Sequence, residues 1–269
     1  MRLDVATEDE AEPVLDGVLR EEADFANDDY RPFADRLDVD VGMFRRYRLP
    51  QNLADWRQMS ALLLGDLAGK HVLDFGCGLG EEAIYLAKLG AKVTAIDISE
   101  VGIDSLRRRA AYNDVDVRAL QMRGDPTAFA NNTFDAVHGL GILHHVGIDA
   151  GLAEIHRVLK PGGIAVFLEP MGNSPVIESV KTWLMKNARF LGEFDHVTDH
   201  EHNLTWQEVD TATSRFSEAL VYPYHLLYRL KRLVPNSLLP TVRRIDASAL
   251  MLVPSLRHFC GGIAIRVRK

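Results

Sequence analysis

From residue 71 to residue 170 the chain alternates between two hydrophobic rhythms. Continuous apolar runs at 71–75, 92–96, 116–121, 134–138 and 163–168 predict buried strands. Between them, apolar positions recur every three or four residues over 81–89, 100–112 and 149–158, which predicts helices lying on the sheet. Strands that alternate with helices imply a parallel sheet with right-handed crossovers and helices on both faces. Ligands of such sheets gather at the carboxyl ends of the strands. Asp74, Gly76, Asp97, Asp125, Gly139 and Glu169 all fall at or just after such ends.

On either side the rhythm is different. Val14, Leu15, Val18 and Leu19 mark one helix face within an acidic stretch, 8–29, and Arg31-Pro32-Phe33 breaks it. A second helix is predicted from about residue 53 to Gly65. After Pro170 the pattern loosens. Residues 217–224 and 262–267 read as sixth and seventh strands, with helix broken by Pro235, Pro240 and Pro254 between them. The chain thus divides into a helical cap (1–64), a core (65–170) and a lid insertion that carries the last strands (171–269).

Composition changes this picture little. The 269 residues are 47% hydrophobic and 26% charged, the range of a soluble globular chain. Cys77 and Cys260 are the two cysteines, too few for a disulfide framework or a thiolate metal site. The first residues lack the apolar stretch of a signal peptide, and no run is long enough to span a bilayer, so a cytoplasmic location is expected. Charge is uneven: residues 1–40 hold fourteen acids and four bases, and residues 226–269 hold nine bases and one acid. Without a broader basic face, no nucleic-acid partner is expected.

The densest chemistry lies in HVLDFGCGLGEEAIYLAKLGAKVTAID, residues 71–97. Glycines 76, 78 and 80 sit at a strand-to-helix turn, where backbone amides approach a ligand that a β-carbon would repel. Asp97 follows at the tip of the next strand, placed to accept ribose hydroxyls. A dinucleotide site would put its third glycine at position 81, which is Glu81, followed by Glu82. These carboxylates suit a helix N-terminus but oppose a pyrophosphate. They suit S-adenosylmethionine, which is cationic and carries no phosphate.

This segment resembles motif I of the class I, Rossmann-like S-adenosylmethionine-dependent methyltransferases. Gly124-Asp125, FDAVHGLGILHHV (134–146) and LKPGGIAVFLEP (159–170) resemble later segments of the same family, in order. The resemblance implies a mostly parallel seven-stranded sheet with S-adenosylmethionine as cofactor and S-adenosylhomocysteine as product. It places Asp97 and Ile98 at the ribose, and Gly124, Asp125 and Pro126 at the adenine. Asp74, the 76–80 backbone with Cys77, Tyr47, and the carbonyl of Gly139 or Leu140 fall around the methionine portion.

Methyl transfer from a sulfonium needs an oriented, desolvated acceptor and, for some acceptors, a base. His144, His145 and Glu169 are the candidate proton-transfer groups. Tyr30, Phe33, His144, Asn173, His200 and His202 are candidate acceptor contacts. His196, His200, Glu201 and His202 have metal-like spacing, but Val197-Thr198-Asp199 makes a poor helix, so a lid loop is expected and no metal. Residues 225–234 carry an apolar stripe with basic flanks, read either as packing on the domain or as a weak membrane-surface contact. The expected activity is methylation of an O, N or C atom of a small metabolite by a monomer or homodimer. An RNA or protein methyltransferase and a non-catalytic cofactor-binding subunit are the alternatives.

Overall fold

The computed structural model describes residues 17–39, 56–171, 204–227 and 234–269. In chain order, α1 (Gly17–Tyr30) and α2 (Trp56–Leu64) precede β1 (His71–Phe75), α3 (Glu81–Lys88), β2 (Lys92–Asp97), α4 (Glu100–Tyr112) and β3 (Val117–Gln121). Next come β4 (Phe134–Leu140), α5 (Leu143–Val146), α6 (Ile148–Val158) and β5 (Leu159–Pro170). Then α7 (Trp206–Thr213), β6 (Glu218–Tyr224), α8 (Leu239–Leu252) and β7 (Gly262–Arg268) complete the order.

The seven strands form one sheet in the order β3-β2-β1-β4-β5-β7-β6. β1 to β5 are parallel, while β7 runs antiparallel between β5 and β6. β1 is buried from Val72 to Phe75, because a central parallel strand has helices over both faces. Two apolar clusters follow, one on each face, around Phe75, Phe167 and Leu152 and around Ile84, Leu106 and Val166.

Strand order reverses between β1 and β4, which opens a crevice above their carboxyl ends. Local sequence fixes the elements around it. Ser99 caps α4, its hydroxyl accepting the Gly102 amide at 2.9 Å. Thr205 and Glu208 form a reciprocal capping box on α7. An isolated bridge joins Met171 to Leu204, so residues 171 and 204 meet at the carboxyl end of β5.

Two expectations change. The fifth strand extends to 159–170, beyond the predicted 163–168, because Leu159 already pairs with Phe134 before a register shift. The amphipathic helix predicted from residue 225 does not start there. His225 has φ +62° and residues 226 and 227 are bends. Leu226 packs on the core, and the Leu227 amide donates to the buried Asp246 carboxylate at 2.7 Å. Among the described residues, no helix is long and apolar enough to cross a membrane.

Candidate functional site

The loop after β1 is a folded glycine turn. Gly76, Gly78 and Gly80 have φ of +73°, +50° and +84°. The Gly76 and Cys77 amides donate to the Ile96 carbonyl, each at 2.9 Å, tying the loop to the tip of β2. The Gly78 amide donates to Asp97 Oδ2 at 2.8 Å and the Ser99 amide to Asp97 Oδ1 at 2.9 Å. Asp97 is buried, which pushes its carboxyl above the usual range, while the Ser99 and Gly78 amides pull it back. A carboxylate has about four lone-pair sites, so two amides leave room for a diol.

The tip of α1 lies over this turn. Asn27 Oδ1 accepts from the Ser99 hydroxyl at 2.7 Å and from the Val101 amide at 3.2 Å. That anchor sets the Tyr30 ring beside Gly78 and Gly102. A β-carbon on Gly78 would stand 3.2 Å from the Tyr30 hydroxyl, whose pKa is raised by burial and by the nearby Asp97 charge. Below the turn Asp74 is 1% exposed. Its Oδ1 bonds His138 Nδ1 at 2.9 Å, while its Oδ2 has no hydrogen-bond partner among the described residues.

Across the crevice Glu169, fully buried at the end of β5, holds the start of α5. Its Oε1 accepts the Ile142 and Leu143 amides at 3.0 and 2.9 Å. Its Oε2 lies 2.8 Å from His144 Nδ1, and the His145 ring centroid lies 4.2 Å from that of His144. Both histidines line a cleft of about 670 Å³ with Ile148, Leu204, Thr205 and Glu208. The Tyr224 phenol has its pKa raised by burial and by the Glu169 charge.

The glycine turn, the carboxylate at the tip of β2 and the reversed strand order are the features of one family, and residues 72–163 match the model described as a methyltransferase domain. The core is a class I S-adenosylmethionine-dependent methyltransferase domain. Its sequence is 38% identical over 117 residues to a demethylmenaquinone methyltransferase of Clavibacter sepedonicus, covering 42% of this chain and 46% of that protein. It is 38% identical over 111 residues to a ubiquinone biosynthesis O-methyltransferase of Alkalilimnicola ehrlichii, covering 40% and 44%. The chain spans about half the length of the curated relatives it matches. In fold it is similar to a geranyl diphosphate C-methyltransferase from Streptomyces coelicolor, with TM-score 0.60 and 16% identity over 95% of this chain and 99% of that one.

The methyltransferase domain brings most predicted cofactor residues together, with differing surroundings. Gly124 and Gly139 are packing positions as well, since a β-carbon would stand 2.6 Å from Phe75 and 2.5 Å from Phe167. Leu140 ends β4 and is partly exposed. The Ile98 carbonyl accepts from Gln121. Asp125, before Pro126, has its carboxyl raised by burial against the opposing pull of Arg123. Tyr30 lies against the glycine turn and does not line the His144 cleft. Phe33 lies beside α4, where its carbonyl accepts from Arg109 and Arg36 covers its ring. Tyr47, Asn173, His196, His200, Glu201 and His202 lie outside the described residues. Among the described residues, no group of three His, Cys, Asp or Glu could hold a metal. Ser60, His138, Asn27 and Tyr224 were not anticipated. His138 carried a visible signal, as a polar residue inside the apolar run of β4.

Proposed function

We propose that this protein transfers a methyl group from S-adenosylmethionine to a small-molecule acceptor held in the cleft beside His144. The observation that carries this reading is the glycine turn hydrogen-bonded to Asp97 above the unpartnered Asp74 oxygen. Both features fit the cofactor. A β-carbon at Gly76 would stand 2.5 Å from Ile142, so only a bare backbone lets the turn fold tightly against α5. The free Asp74 oxygen is a counter-charge for an ammonium group, and Asp97 has acceptor capacity for the ribose.

The cofactor supplies an activated methyl whose carbon–sulfur bond breaks with the electron pair retained by sulfur, leaving a neutral thioether. The protein's residues orient the acceptor and take its proton. Glu169 Oε2 accepts from His144 Nδ1–H, which fixes the tautomer with a free lone pair on Nε2. That nitrogen accepts the proton of an acceptor hydroxyl, and the buried carboxylate stabilises the imidazolium that forms. The apolar walls at Ile148 and Leu204 with Thr205 and Glu208 suit a ring or chain bearing a few hydroxyls. The names of the two quinone-pathway relatives support an acceptor of that kind.

Incubation of the protein with S-adenosylmethionine and a panel of phenolic and enolic metabolites tests the reading. S-adenosylhomocysteine formed with a member of the panel is the expected result. Turnover confined to RNA or protein would overturn it, and cofactor binding without any product would favour a non-catalytic subunit.

A further inference from the structure

Asp74 and His138 are register partners on β1 and β4, the two strands that flank the switch point. Asp74 Oδ1 lies 2.9 Å from His138 Nδ1, and His138 Nε2 lies 3.2 Å from the hydroxyl of Ser60 on α2. All three side chains are at most 2% exposed. A buried carboxylate is costly unless it is held by donors. Here one oxygen is held and the other is bare among the described residues. The asymmetry is the informative point, because a purely structural acid would satisfy both oxygens.

We infer that Ser60 and His138 are positioning residues that hold Asp74 with Oδ2 presented to the ammonium group of the cofactor. The inference rests on the methyltransferase reading above. An ionised Asp74 accepts from His138 Nδ1–H, so Nε2 is an acceptor and the Ser60 hydroxyl donates to it. The chain of hydrogen bonds fixes the imidazole plane, and the imidazole fixes the carboxylate rotamer. It also couples the cap to the cofactor site: Ser60 belongs to α2, outside the β–α core.

The test compares two probes by calorimetry: S-adenosylhomocysteine, which carries the amino acid portion, and methylthioadenosine, which lacks it. In His138→Leu, binding of S-adenosylhomocysteine is expected to weaken about tenfold, the scale of one hydrogen bond to a charged group. Methylthioadenosine affinity is expected to stay within twofold, and His138→Gln to recover part of the loss. Ser60→Ala, a milder change that serves if His138→Leu does not fold, should weaken only the first probe, about threefold. Equal weakening of both probes, or no change in either, overturns the positioning role. Wild-type protein that binds neither probe would instead remove the cofactor reading on which the inference stands.

Discussion

Glu169 divides its oxygens between two duties: Oε1 takes two amides at the start of α5, and Oε2 takes His144. Glu169→Gln keeps the shape but offers an amide N–H toward His144, which favours the opposite tautomer. Turnover is expected to fall by roughly a hundredfold or more, the lower end for a proton-transfer group, with cofactor affinity unchanged by calorimetry. Glu154 makes a different prediction. Burial raises its carboxyl, but Arg157 and Thr127 outweigh that and hold it below 4.5. A depressed acid stabilises the fold above its unfolded pKa, and that contribution is lost as pH falls through the folded value. Glu154→Gln is therefore expected to cost about 2 kcal/mol at pH 7. The cost should shrink steadily below pH 4.5 in urea unfolding experiments.

At the scale of elements, the glycine turn is also a packing device. Gly80 has φ +84°, and a β-carbon there would stand 2.4 Å from Leu106 on α4. Gly80→Ala is expected to destabilise by about 2 kcal/mol from backbone strain alone, with a lowered unfolding midpoint as the readout. The five parallel strands and the helices between them were legible because each buries a continuous apolar run or a single stripe. The start of the 225–234 segment was not, because the conformation of His225 and the Asp246 contact are tertiary facts. Nothing local reveals that Asn27, three residues before Tyr30, pins α1 to the cap of α4. His138 stood visible in β4, yet its partners are 64 and 78 residues away.

At the scale of the molecule, the last basic residues of the chain are engaged within the fold. Arg266 and Arg268 both hold Glu218, and the Lys269 ammonium meets the Asn132 side chain and the Leu159 carbonyl. The buried acids Asp74, Asp97 and Glu169 all lie near the carboxyl ends of strands β1, β2 and β5, around the point where strand order reverses. The most direct test of the central claim is titration calorimetry of S-adenosylmethionine into the wild-type protein and Asp97→Ala, with unfolding midpoints measured alongside. One-to-one binding by the wild type, weakened at least tenfold in a variant that still folds, is the predicted result. No uptake by the wild type, or uptake indifferent to the loss of Asp97, would contradict the account.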